Sequence, residues 1–250
     1  MIVLYIFGGL LALLILYVLL LGVCALLVNP KKEYEKNSPF YRFLLNSATT
    51  AAIKLCRIRV HISGIEKISK DTKVLFVGNH RSNFDPIITW YAFKEWEIAF
   101  VSKPSNFKIP FFGRIIRKCC FMPIDRENPR KAISTINRAA KLLRKQEVSI
   151  GIYPEGTRSK DCELLPFHNG VFKIAQKAEA PIAVLCITGA EKIHKRTPFR
   201  ATDVYLDVLE VFAGEQVKEA KTEVIGTAVR RLIETNTEKR ENDGKRICNL

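Results

Sequence analysis

The 250-residue sequence has no C-x-x-C pair, no H-x-x-H and no clustered Cys/His pattern, so neither a zinc knuckle nor a thioredoxin-type centre is written in it, and no metal site is expected. It also lacks G-x-S-x-G, the elbow on which a serine nucleophile would be presented. There is no internal repeat, Gly/Ser linker or low-complexity block, so one domain plus an appendage accounts for the length. The seven cysteines (Cys24, Cys56, Cys119, Cys120, Cys162, Cys186 and Cys248) are scattered and odd in number. That speaks against a disulfide framework and for reduced, mostly buried thiols in a domain facing the cytosol.

Charge is missing altogether from Ile2 to Pro30. A helix needs roughly 20 apolar residues to cross a hydrocarbon core, and this run exceeds that. A cleaved secretory signal needs a basic start and an apolar stretch of about 7–15 residues. Here the start has no Lys or Arg and the run is longer, so residues 1–30 are expected to be an uncleaved membrane anchor that spans or re-enters the bilayer. Lys31, Lys32 and Lys36 follow at once, and the positive-inside rule then puts the rest of the chain on the cytoplasmic face. Residues 31–56 form a membrane-proximal segment. Within it, Phe40, Phe43, Leu44, Ala48, Ala51, Ala52 and Leu55 recur at helical spacing from Pro39 to Cys56. Arg42, Lys54 and Arg57 are available there for lipid phosphates. This helix either lies along the membrane surface or packs on the domain.

What the chain has in abundance is positive charge, +15 overall, and between Lys94 and Lys145 there are 13 Lys/Arg against 4 Asp/Glu. Such a face attracts nucleic acid, anionic lipid headgroups or an acidic carrier protein. No recognisable nucleic-acid motif accompanies the charge and the membrane segment argues against that partner, so no nucleic acid is expected.

From residue 57 to 250 short β-branched runs alternate with helical patterns, which implies an α/β domain. Strands are expected at Arg57–Ile62, Val74–Gly78, Ile98–Ser102, Cys119–Ile124, Val148–Tyr153, Ile182–Ile187 and Val204–Val211. Helices are expected to start at Pro86, Pro129, Asn169 and Lys221. Asp85-Pro86 and Asn128-Pro129 each put a capping side chain before a proline at the first helical position. The second of these helices carries Ala132, Ile133, Ile136, Ala140 and Leu143 as one apolar stripe. The last carries Val224, Ile225, Ala228, Val229, Leu232 and Ile233 on one side. Glu238 to Arg246 reads as a mixed charged tail.

Two loops carry chemistry. The strand Val74–Gly78 runs into Asn79-His80-Arg81-Ser82-Asn83-Phe84-Asp85-Pro86. Residues five apart on a continuous helix point in different directions, so His80 and Asp85 meet only if the chain turns between them. A carboxylate would then orient the imidazole and make it more basic, fit to take a proton from a hydroxyl. Read singly, Asp85 is also an ordinary helix cap and His80 an ordinary loop hydrogen-bonder. The second loop, Pro154-Glu155-Gly156-Thr157-Arg158-Ser159, follows the strand Val148–Tyr153. Gly156 permits a positive φ or a close backbone approach, and Arg158 offers a planar fork that matches a phosphate bidentately. Taken alone, a surface turn with an arginine explains it as well.

Asn79-His80-x-Ser82-x-x-Asp85 resembles the H-x-x-x-x-D signature of the glycerolipid acyltransferases, the lysophosphatidate acyltransferase group. Ile150-Gly151-Ile152-Tyr153-Pro154-Glu155-Gly156-Thr157-Arg158 is similar to that family's second strong signature. Lys103-Pro104-x-x-Phe107-x-x-Pro110-x-x-Gly113, leading to Ile124-Asp125-Arg126, is similar to its intermediate block. Ala180-Pro181-Ile182-Ala183-Val184-Leu185 corresponds to its last block, without a second proline usual there. The resemblance covers roughly Arg57 to Ala190.

It implies a mostly parallel central sheet flanked by helices, with His80 as general base and Asp85 as its orienting partner. It implies that Arg158 holds the acceptor's phosphate while Glu155, with Gly156 and Thr157, shapes the acceptor site. Lys103 and Arg126 are associated with acceptor binding, although an ion pair around Asp125 is an equally ordinary role. The implied reaction moves an acyl group from acyl-CoA or acyl carrier protein, as co-substrate and with no resident cofactor, to the sn-2 hydroxyl of 1-acylglycerol-3-phosphate, giving phosphatidate. Backbone amides near the His80 turn are the expected oxyanion donors. Glycerol-3-phosphate or another lysophospholipid as acceptor, and a non-catalytic anionic-lipid-binding membrane protein, stay open as alternatives.

Overall fold

The structure, a computed structural model, describes residues 1–248, without the side chains of residues 3, 4, 241 and 243–248, so the expectation for the Cys248 thiol lies outside the described residues. The domain is built on one sheet of seven strands: β1 (Ile58–Ser63), β2 (Leu75–Gly78), β3 (Ala99–Ser102), β4 (Met122–Pro123), β5 (Ile150–Ile152), β6 (Ile182–Thr188) and β7 (Thr202–Phe212). Their order across the sheet is β1-β7-β6-β2-β5-β3-β4. Each neighbouring pair is parallel except β6 and β7, so the sheet is mostly parallel and the α/β expectation holds. Every residue of β2, β5 and β6 is buried. Strands covered on both faces by helices read as continuous apolar runs for this reason.

Seven strands lie where the sequence puts them, but β4 is far shorter than Cys119–Ile124. The helix α4 (Phe112–Lys118) runs up to that point, and Cys120 takes φ 63 as the chain reverses into the strand. Gly151 at the centre of β5 is required by its neighbour: a Cβ there would lie 2.5 Å from the Phe100 ring. The bare backbone lets that ring cross the strand.

The helices after the first two are α3 (Asp85–Ala92), α4, α5 (Pro129–Arg144), α6 (Lys173–Ala178), α7 (Ile193–Arg196), α8 (Gly214–Glu219) and α9 (Thr222–Cys248). Asn128 caps α5 as expected, its side chain accepting from the Lys131 amide at 3.1 Å with Pro129 at the first position. Asp85 does not cap α3. Its Oδ2 is captured by donors in the preceding loop, and the helix begins without a side-chain cap. On α5, Ile136, Ala140 and Leu143 are buried while Ile133 is 59% exposed, because that turn faces a cavity instead of the core. On α9, Ile225, Val229 and Ile233 are buried, Val224 is exposed, and the charged segment Glu238–Arg246 continues the same helix. A 3-10 turn at Asn169–Phe172 leads into α6.

At the N-terminus α1 covers Ile2–Leu26 and α2 covers Pro39–Leu55. Within α1, Tyr5–Leu26 is long and apolar enough to cross a membrane. Those 22 residues rise about 33 Å as a helix, against roughly 30 Å of hydrocarbon. Its C-terminal half docks on α2, with Tyr17 and Ser47 sharing a hydroxyl hydrogen bond at 2.7 Å and Tyr41 donating to the Cys24 carbonyl at 2.9 Å. α2 packs on the domain through Leu44, Leu45, Thr49 and Ile53, and leaves Phe40, Phe43 and Leu55 exposed. Arg42, expected among the groups free for lipid phosphates, is instead 5% exposed. It donates to Asn37 Oδ1 and the Ile98 carbonyl and lies 4.6 Å above the Trp90 ring, so its charge is used inside the fold.

Candidate active site

In the sheet order, β2, β5, β3 and β4 are four adjacent parallel strands. The loops leaving their carboxyl ends carry, in turn, His80, Gly156–Arg158, Lys103 and Arg126. Open α/β sheets bind ligands outside the carboxyl ends of their strands, and here one cavity of about 1100 Å³ is lined by all of these residues. Thus residues far apart in sequence share one cleft because their strands are neighbours.

The His80 loop is fixed from three sides. Asn79 donates to the Ile187 carbonyl at 2.9 Å and accepts from the Ile187 amide at 2.8 Å, pinning the end of β2 to β6. The His80 amide donates to Glu155 Oε1 at 2.6 Å, and the Ser159 amide donates to the His80 carbonyl at 2.9 Å. The imidazole stacks on Tyr153, with ring centres 4.5 Å apart and planes inclined by 13°. Its Nδ1 lies 2.9 Å from Asp85 Oδ2, which also accepts from the amides of Arg81 and Ser82 at 2.7 Å each. An ionised carboxylate only accepts, so Nδ1 carries a proton, and in the neutral imidazole that leaves the lone pair on Nε2. The turn between residues 80 and 85 therefore brings the two side chains together.

Asp85 is fully buried, and that burial raises its pKa against the opposing hydrogen bonds from His80, Ser82 and Arg81. Burial likewise raises Glu155, while the amides of Leu165 and His80 pull the other way. Both oxygens of Glu155 accept backbone N–H groups, the second from Leu165 at 3.0 Å. Glu155 is thus a strut that joins the two loops beneath the cavity. Tyr153 is pushed well above its ordinary pKa, by burial first and then by the charge of Asp85, and its hydroxyl pairs with Thr89 at 3.2 Å.

Arg158, Thr157, Lys103 and Arg126 are exposed along the cavity. Among the described residues none of the three cations forms an ion pair. Asp125 is matched by Lys131 at 3.6 Å, which leaves Arg126 to the cavity, where partial desolvation lowers its pKa. Of the amides expected as oxyanion donors, those of His80, Arg81 and Ser82 are already engaged by carboxylates, so that expectation is corrected for all three. Asn83, which also lines the cavity, keeps its amide outside these bonds. Two contributors were missed in the sequence: Tyr153, whose aromatic position at the strand end was the signal, and His168, which lines the same cavity. Among the described residues no group of three His, Cys, Asp or Glu side chains could hold a metal ion. Burial pushes the thiols of Cys119 and Cys120 up to about 12 each, which leaves them unreactive.

The sheet order and the four converging loops define an open α/β protein with an oriented histidine beside an array of unpaired cations. A family model described as Acyltransferase matches residues 59–188, and the chain belongs to that acyltransferase family. It is 35% identical over 136 residues to a Brassica napus protein named 1-acyl-sn-glycerol-3-phosphate acyltransferase BAT2, chloroplastic, a match covering 54% of this chain and 39% of that one. It is also 35% identical over 124 residues to a 1-acyl-sn-glycerol-3-phosphate acyltransferase from Haemophilus influenzae, covering 49% of this chain and 51% of that one. The chain thus spans about half the length of the curated relatives it matches. A crystal structure of the 1-acyl-sn-glycerophosphate (LPA) acyltransferase PlsC from Thermotoga maritima shares the fold, with a TM-score of 0.66 at 24% identity over 80% of this chain and 81% of that one.

Proposed function

We propose that the chain transfers a fatty acyl group from a thioester, acyl-CoA or acyl carrier protein, to the sn-2 hydroxyl of 1-acylglycerol-3-phosphate. The observation that supports this most directly is the His80 Nδ1–Asp85 contact of 2.9 Å in a cavity also lined by Arg158, Arg126 and Lys103. His80 Nε2 takes the proton of the acceptor hydroxyl as its oxygen attacks the thioester carbonyl. The C–S bond then breaks, and the imidazolium returns the proton to the departing sulfur. A positioned base contributes about 10²–10⁴-fold. The cations hold the phosphate so that the hydroxyl stays within reach, an effective-molarity gain.

In this reading residues 1–30 anchor the chain, residues 31–56 sit next to the bilayer, and residues 57–250 act on its cytoplasmic face. The test is to incubate detergent-extracted protein with labelled oleoyl-CoA or oleoyl carrier protein and a panel of lyso-acceptors, and to identify products by mass spectrometry. Phosphatidate formation from lysophosphatidate is the expected result; acylation of glycerol-3-phosphate or lysophosphatidylglycerol in its place would redirect the reading.

A further inference from the structure

Outside residues 1–27, the most exposed large apolar side chain among the described residues is Phe199, at 84%. It stands in the loop between α7 and β7, and that loop is held to the end of α2. The Arg57 guanidinium donates to the Phe199 carbonyl at 3.2 Å and the Thr197 hydroxyl to the Cys56 carbonyl at 3.3 Å. The Thr202 amide donates to the Arg57 carbonyl at 3.1 Å, and the Arg200 amide closes the loop on the Arg196 carbonyl at 2.8 Å. A fixed backbone therefore presents the ring to the outside, and exposed apolar groups that gather in one place mark an interaction surface.

The charge around the ring has one sign. Lys54, Arg57, Lys195, Arg196 and Arg200 are all exposed, and none forms an ion pair among the described residues. Neither Ala51–Val60 nor Lys192–Thr202 contains an Asp or Glu. The next acid, Asp203, is taken by Arg59 at 2.7 Å and His61 at 2.9 Å. On α2 the exposed Phe40, Phe43 and Leu55 fall within an arc of about 120°. One apolar line thus runs along that helix and ends where the Phe199 loop is attached.

The sheet register sets this loop at the end that carries the cavity. β6 is parallel to β2 and antiparallel to β7, so β7, with β1 beside it, begins where β2 and β6 finish. The Phe199 loop and the His80 loop therefore lie at one end of the sheet.

We propose that residues 194–200, with the exposed face of α2, form a contact for an anionic lipid bilayer that holds the cavity end of the sheet against the membrane. This rests on the reading of residues 1–30 as an anchor, and it adds a second contact made by the domain itself. A soluble polyanion would pair with the cations and leave Phe40, Phe43, Leu55 and Phe199 in water. A bilayer takes both, the apolar side chains among its acyl chains and the basic heads at its phosphates.

The test uses the full chain. Its two tryptophans, Trp90 and Trp96, are each 3% exposed, so Phe199→Trp adds one reporter to a buried background. The variant is mixed with vesicles of phosphatidylglycerol and phosphatidylcholine whose acyl chains carry bromine, which quenches indole emission on contact. The expected result is a blue shift on binding and a loss of the added emission. Both are smaller on phosphatidylcholine alone, and smaller when Arg196→Gln and Arg200→Gln accompany Phe199→Trp. Val224→Trp is the control, at another exposed side chain. It lies on α9, which packs on β6 and the Asn169–Phe172 turn, whereas α2 packs on β1, α3 and α4. Bromine should leave its added emission unchanged.

Emission at position 199 that bromine does not quench overturns the proposal, as does quenching equal to that at position 224. Equal quenching on neutral and anionic vesicles overturns the assignment to anionic lipid. A blue shift that appears without lipid and grows with protein concentration overturns it in favour of a second copy of the chain. Flotation of the same samples separates this contact from the anchor. A chain that floats with position 199 unquenched keeps the anchor and loses the contact, and a chain that does not float loses both. Acyl transfer does not enter the readout, so the outcome stands apart from the reaction.

Discussion

His80 and Glu155 stand 75 positions apart, yet the backbone N–H of one donates to Oε1 of the other at 2.6 Å. The second oxygen of Glu155 accepts from Leu165, ten positions further along its own chain segment. One buried carboxylate therefore sets the separation between the loop that carries the base and the loop that carries Arg158.

Glu155→Gln tests that strut. The amide has one accepting oxygen where the carboxylate has two, so either the His80 or the Leu165 N–H loses its partner, and a buried unpaired donor costs about 1–3 kcal/mol. For a chain of this size that corresponds to a fall in Tm of roughly 2–12 °C. A displacement of the base by about 1 Å lowers turnover by about 10²-fold. Thermal melting and kcat on the same preparation check both; unchanged kcat would show that the strut does not position His80.

Substitution of the dyad separates base from orienter. His80→Ala should remove acyl transfer to background while the protein still folds, because Asp85 Oδ2 keeps the Arg81 and Ser82 amides when the imidazole is gone. Asp85→Asn still accepts from the Arg81 and Ser82 amides but no longer enforces a proton on Nδ1, so kcat should fall about 10²–10⁴-fold. Substantial turnover in His80→Ala would exclude it as the base.

The sequence showed most of the sheet because buried parallel strands have few alternatives to continuous apolar runs, and β2 and β6 are of that kind. The meeting of His80 and Asp85 was legible from the strand before them and the proline after. Asp85 misled as a helix cap, since an Asp before a proline gives no sign of whether its carboxylate bonds forward to the helix or backward to the loop. Arg42 misled for a related reason: spacing shows that a cation sits on a helix, not that Trp90 and the Ile98 carbonyl will enclose it. His168 lay outside every pattern, because only the folded path of residues 154–168 brings it over Gly156.

Acid should silence the protein before unfolding it. Asp85 and Glu155 have pKa values raised by burial. A raised carboxyl holds its proton more firmly folded than unfolded, so protonation between those two values favours the native state. Acidification through that window removes the charge that orients His80 without loss of stability from either group. Asp207 behaves oppositely: despite its burial, hydrogen bonds from Arg240, Ser63 and Asn236 hold its pKa below the usual carboxylate value. Its contribution is present above the unfolded value and disappears as pH falls through the lower folded one. The acid limb of kcat/KM should therefore lie at higher pH than acid unfolding followed by circular dichroism. Coincident limbs would contradict this assignment.

Arg158→Lys keeps the charge and loses the fork. A bidentate phosphate contact reduced to a point charge should raise KM for lysophosphatidate about tenfold, with a smaller effect on kcat. Steady-state kinetics with varied acceptor at saturating donor measures the split. Unchanged constants would place the phosphate elsewhere in the cavity.

Arg42 supplies a test of whether α2 serves the membrane or the domain. If its guanidinium met lipid phosphates, Arg42→Ala would weaken binding to anionic vesicles, with a loss of about 1 kcal/mol per basic residue. The enclosed position predicts another outcome. The substitution deletes the cation above Trp90, opens the space filled by the aliphatic stem and leaves the Ile98 carbonyl without that donor. Together these cost about 2–4 kcal/mol, with the unpaired buried carbonyl the largest part. Tm should fall on the order of 10 °C. Vesicle partitioning of the folded protein should stay the same, because α1 and the exposed Phe40 and Phe43 are untouched. Vesicle flotation below the lowered Tm, set beside the melting curve, distinguishes the two: weaker flotation with unchanged melting would return Arg42 to the membrane surface.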